Sequence, residues 1–173
     1  MTEDTFQRKM NWIKEHSGEQ QVKAGSIVAW ECLVTTLDEL VGRFNDITFS
    51  ETRSESKRYR EVQLKKIIIG MLYEMDQCLD YWAATLNKDG LLNVDIKTKK
   101  KNFKMACDIV GLDILGNIRN NISFHFADII AHPDAVVDNY TKVDQMSLES
   151  ISRIIESANL CGFAMRDKVI TSI

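Results

Sequence analysis

From Ile27 to Phe44 the apolar residues fall at Ile27, Trp30, Val34, Leu37, Val41 and Phe44, in alternating steps of three and four. That spacing keeps one stripe of a helix turned toward a partner and forbids a strand, whose faces alternate every second residue. The same rhythm returns at Leu64, Ile68, Met71, Met75, Leu79 and Trp82, with Leu72, Tyr81 and Leu86 widening the stripe. It returns again at Leu148, Ile151, Ile155, Ala158, Met165 and Val169. One proline and eight glycines in 173 residues leave these segments uninterrupted. With 45% hydrophobic residues the chain can bury a core as one domain over residues 1–173. The expected fold is all-α: an up-and-down bundle of four main helices with one or two short ones.

Local signals set the expected boundaries. A first amphipathic helix over 3–16 carries Phe6, Met10 and Ile13, with Trp12 beside them, and ends near Ser17-Gly18; His16 is expected to face solvent. A second runs from Glu19 to Asn45. Residues 46–56 lose the period and are rich in hydroxyl and charged groups, which reads as a surface loop. A helix of about 30 residues follows over 57–87 and stops at Lys88-Asp89-Gly90. The Lys97–Lys104 run opens another, with Phe103, Ala106, Cys107 and Val110 inward, interrupted by Gly111. A further helix extends to Ala131, where His132-Pro133 ends it. The last begins with Ser147 as its N-cap, and Ala158 and Gly162 allow a neighbour to come close.

Twenty-two basic residues against 25 acidic ones give a net charge of −3, which argues against a protein that coats DNA. Cys32, Cys78, Cys107 and Cys161 are far apart, with no pairing of metal-ligand spacing, and read as reduced core thiols. No Gly-rich phosphate loop, His-Glu-x-x-His or Glu-x-x-His pair is present, so no metal or cofactor is expected. The acidic Met1-Thr2-Glu3-Asp4 start does not resemble a leader, and no apolar run approaches the roughly 18 residues of a membrane span. The expected location is the cytoplasm.

One stretch sets chemistry-bearing groups inside an apolar helical pattern: Ile118-Arg119-Asn120-Asn121-Ile122-Ser123-Phe124-His125-Phe126. On a helix over 111–131 a buried face holds Leu115, Ile118, Ile122, Phe126, Ile129 and Ile130, with a polar strip of Asn117, Asn121, His125 and Asp128 beside it. Arg119 and His125 bracket that face, about 120° apart and roughly 9 Å along the axis. Six residues is not a facing spacing on one helix, so the pair needs an irregular turn or a second copy to act together. The outward Phe124 offers a surface for such a copy.

An Arg followed by a polar residue and, after a short spacer, a His resembles the motif of the HEPN superfamily of all-helical RNases and toxins. The resemblance implies RNA cleavage without a metal at the cleft of a homodimer, with Arg119, Asn120 and His125 as the site and an antitoxin protein as a partner. In such chemistry a base removes the ribose hydroxyl proton and cationic groups hold the phosphate. A histidine near its reference pKa suits the first task and a guanidinium fork the second. Lys97, Lys99, Lys100, Lys101 and Lys104 are candidates to hold the RNA backbone, as are Arg53, Lys57, Arg58, Arg60, Lys65 and Lys66. The alternative expectation is a non-catalytic helical module that dimerises or binds a nucleotide or a partner protein, with His125 and Arg119 serving structure.

Overall fold

The computed structural model describes residues 3–50, 54–109 and 141–173. Among these every regular element is a helix: α1 (Glu3–Lys14), α2 (Gly18–Ser50), α3 (Glu55–Lys88), α4 (Val94–Ile109) and α5 (Leu148–Thr171), with 141–145 also helical. At 33 and 34 residues, α2 and α3 each run about 50 Å.

The ends are closed by the chemistry of their sequences. The Ser147 hydroxyl accepts from the Ser150 N–H at 3.0 Å, as expected of its N-cap position, and the Ser54 hydroxyl accepts from the Lys57 N–H at 3.1 Å. Asn93 Oδ1 accepts from the Ile96 N–H at 2.9 Å, which starts α4 at Val94, a turn before the lysine run. Gly90 takes a positive φ of 68°, where a side chain is disfavoured, while the Leu91 N–H reaches back to the Leu86 carbonyl at 2.8 Å.

The expected loop over 46–56 is corrected. Helix α2 continues to Ser50, and Ser54 already caps α3. Contacts across the hairpin override the weak local period. The Lys57 ammonium donates to the Thr48 carbonyl at 2.7 Å, and the Thr48 hydroxyl donates to Glu61 at 3.3 Å. His16 is corrected too. It is half-buried, donating from Nδ1 to the Trp12 carbonyl at 2.8 Å and meeting the Trp12 ring edge-on.

Helix directions follow from paired residues. Thr48 meets Glu61, Phe44 lies under Lys65, Ser26 bonds Trp82 and Glu19 bonds Lys88, so α2 and α3 are antiparallel throughout. Lys100 and Lys104 meet Asp80 and Asp76, which makes α4 antiparallel to α3. Gln20 and Glu31 bond Ile173 and Arg166, and Asp38 lines one groove with Glu156, so α5 opposes α2. The result is the expected up-and-down bundle, with α1 laid on α2.

The core is centred on Trp30 and Trp82, whose rings sit 5.3 Å apart at 44°, both fully buried. The Trp82 indole N–H donates to the Ser26 hydroxyl at 2.8 Å. Gly162 of α5 rests on the Trp30 ring so closely that a Cβ there would run into it. Ile68, Ile69, Leu72, Met75, Phe103, Ile151, Ile154 and Cys161 complete the interior.

Candidate functional site

The residues of the proposed chemistry, Arg119, Asn120 and His125, lie outside the described residues, as do Arg53, Gly111, Phe124, His132 and the helix expected to end at Ala131. What is described is the frame on either side. Upstream, Phe103 and Cys107 seat α4 in the core. Downstream, Val143 is buried and Asp144 is fastened to the first turns of α3. Its carboxylate accepts from the Arg58 guanidinium, and its carbonyl accepts from the Lys65 ammonium at 2.9 Å. The hydrogen bond from Arg58, then the charges of Arg58 and Lys65, hold the Asp144 carboxyl below its ordinary range against the effect of burial. Burial pulls Lys65 below the usual lysine value although Asp144 and Glu61 oppose it.

The basic residues divide into those the fold uses and those it leaves exposed. Lys65 and Lys66 are buried, Lys57 and Arg58 are bonded as described, and none of these four presents a free cation. Within the lysine run, Lys99 pairs with Asp95 one turn back at 2.5 Å. Lys100 pairs with Asp80 at 2.6 Å, and Lys104 with Asp76 at 2.5 Å. Burial lowers Lys104, but the hydrogen bond to Asp76 and the charges of Asp76 and Asp80 outweigh it and hold the ammonium above its ordinary value. Lys97 and Lys101, one turn apart, are exposed on the opposite side of α4 and form no ion pair among the described residues. The reason is helical phase. Lys100 and Lys104 flank the buried Phe103 and Cys107, so they lean onto the carboxylates of α3, whereas Lys97 and Lys101 point away.

Two neighbouring clefts open at the α2–α3 end of the bundle and share Gln63. One, of about 360 Å³, is lined by Glu55, Arg58, Tyr59, Val62, Gln63, Thr141 and Asp144. The other, of about 500 Å³, has Arg43 and Arg60 on its walls with Asp46, Ile47 and Leu64. Arg43 carries no ion pair.

Several groups that matter escaped the sequence reading. Lys23 is only 5% exposed and donates to Asp89 at 2.9 Å and to the Ser172 hydroxyl at 3.1 Å, tying the start of α2 to the ends of α3 and α5. Its place four residues before Ile27 and seven before Trp30 puts it in phase with the apolar seam, a signal present in the sequence. Asp38 and Glu156 line a groove between α2 and α5 whose existence no single helix could reveal.

Burial pushes the thiols of Cys78 and Cys107 up to about 12 and that of Cys161 to about 11, so none is a thiolate nucleophile near neutrality. Among the described residues no three His, Cys, Asp or Glu side chains gather as a metal site, and no helix is long and apolar enough to cross a membrane. Fold and frame together define an all-α bundle. No protein-family model matches the chain, and comparison with curated proteins and with solved structures gives no match.

Proposed function

We propose that this chain is a HEPN-like endoribonuclease of toxin or phage-defence type, acting in the cytoplasm as a homodimer and held in check by an antitoxin protein. His125 takes the ribose 2′-hydroxyl proton. The freed oxygen attacks the adjacent phosphorus, the 5′-oxygen leaves, and Arg119 and Asn120 bind the charged phosphate oxygens. No metal is needed, since proton transfer and charge stabilisation both come from side chains. The observation that carries the reading is the Arg119-Asn120-(spacer)-His125 sequence in a chain that folds as a helical bundle.

The frame supports it. Arg43 and Arg60 line one cleft, and that cleft shares Gln63 with the cleft that Thr141 lines. The test is incubation of purified protein with total RNA in EDTA beside its His125→Ala variant. Cleavage by the wild type alone is expected; cleavage by both at one rate, or by neither, overturns the proposal.

A second reading, a helical module that works only by association, is favoured by the exposed apolar groove between α2 and α5. It predicts no RNA cleavage by either protein.

A further inference from the structure

The outer side of α5 presents Glu156, Asn159, Leu160 and Phe163, spaced three, one and three along the helix and therefore on one face. With Asp38 and Val41 of α2 and Ser152 and Ile155 of α5 they line a groove of about 420 Å³. Leu160 is 56% exposed and Phe163 47%. The charged groups in the lining are two carboxylates, Asp38 and Glu156, and neither has an ion-pair partner among the described residues. Asn159 also lines the groove, and among the described residues its buried side-chain oxygen accepts no hydrogen bond. Arg166 covers the Phe163 ring and is committed to Glu31 and Asp167. The groove therefore suits an apolar helix face that brings ammonium or N–H donors.

The chain itself carries such a face. On α4, Val94, Lys97, Lys101 and Met105 step by three, four and four, opposite the buried Ile96, Phe103 and Cys107. Val94 is 79% exposed and Met105 52%, and the two lysines between them are the unpaired pair of the run. The stripe is apolar at its two ends and cationic in the middle, against a groove lined by Val41, Ile155, Leu160 and Phe163 and by the carboxylates of Asp38 and Glu156. Since α4 packs on α5 through its opposite side, it cannot reach the groove of its own chain.

We infer that the groove between α2 and α5 receives the Val94–Met105 stripe of a second copy of this chain, with Lys97 and Lys101 set against Asp38 and Glu156. Two such contacts about a two-fold axis close a dimer in which each copy gives one stripe and one groove. The charges set register and partner choice, and the apolar residues supply the buried area. The inference does not depend on RNA cleavage, and it uses Lys97 and Lys101 for assembly rather than for RNA.

The test is light scattering at tens-of-micromolar concentration on the wild type and on two charge reversals, Lys97→Glu/Lys101→Glu and Asp38→Lys/Glu156→Lys. The wild type is expected to be a dimer that loosens as salt rises. Each reversal should weaken association about a hundredfold or more while leaving the helical spectrum unchanged, because like charges then face each other at exposed positions. Mixing the two reversed proteins should restore the dimer, since each groove then meets a stripe of opposite sign. A monomeric wild type overturns the inference, including one that binds an added cationic amphipathic peptide, which would give the groove to another protein. So does a dimer that survives both reversals, or a mixture no more associated than its components. Loss of RNA binding by the lysine reversal with assembly unchanged would assign those lysines to nucleic acid and end the proposal.

Discussion

Helix α5 has two sides that differ in almost every respect although their residues alternate along one turn. Ala158, Cys161, Gly162 and Met165 are wholly inside, pressed on Trp30 and the α3–α4 layer; Leu160 and Phe163, neighbours in sequence, are about half exposed beside unpaired carboxylates. The inner side is satisfied by contact with its own chain. The outer side has comparable apolar character and no cover among the described residues. Amphipathicity alone therefore does not account for α5, because a helix needed only for the bundle would carry polar residues at 160 and 163.

The largest effect that would sharpen this contrast is at Gly162. Gly162→Ala drives a methyl into the Trp30 ring and should cost about 1–3 kcal/mol, seen as a lower midpoint in urea, with Gly162→Leu failing to fold. Trp30→Phe in the Gly162→Ala background should recover part of the loss, since adjacent substitutions couple. An unchanged midpoint for Gly162→Ala would mean that α5 can shift outward, and the difference between its sides would shrink.

Next comes the polar knot that holds the end of the same helix. Asp89→Ala leaves the buried Lys23 ammonium with the Ser172 hydroxyl as its remaining side-chain partner and should cost about 1–3 kcal/mol. Lys23→Met should cost less, because it removes the buried charge instead of stranding it. Equal losses in chemical denaturation would indicate that the ammonium is not stressed by losing its carboxylate.

The inner side should also respond to alkaline pH. Cys107 and Cys161 have folded-state values raised to about 12 and about 11, against roughly 8.5 for an unperturbed thiol. A raised value contributes stability that is whole below the unfolded pKa and fades as pH climbs toward the folded one. Melting temperature should fall between about pH 9 and 11, and less so in Cys107→Ala/Cys161→Ala measured against its own neutral value. At pH 8 a thiol reagent should modify both cysteines slowly in the native protein and fast in urea; rapid native labelling would contradict the burial.

The smallest expected change is on the outer side. Phe163→Ala and Leu160→Ser should alter the stability of dilute protein by no more than about 0.5 kcal/mol, the usual scale for surface positions. Loss of several kcal/mol at either position would show that the outer face already supports the fold of a single chain.

Features that depend on near neighbours could be read from the residues alone. The helical period, the Ser147 cap and the stop at Gly90 were all legible, because each is set by residues within about one turn. The string Arg119-Asn120-His125 was legible in the same way, as residue types at a spacing; the geometry that would join them was not, because six residues do not face each other on one helix. The packing of the helices settled matters that need a partner far along the chain. It carried α2 through 46–50 by contacts with Lys57 and Glu61, took Lys23 and Lys65 out of solvent, and paired Lys100 and Lys104 with Asp80 and Asp76. It also set Asp38 beside Glu156 along one groove. Charge and apolarity are properties of single residues, but whether a lysine is neutralised or an apolar face is covered depends on what the fold brings within a few ångströms of it, and helix packing alone supplies that.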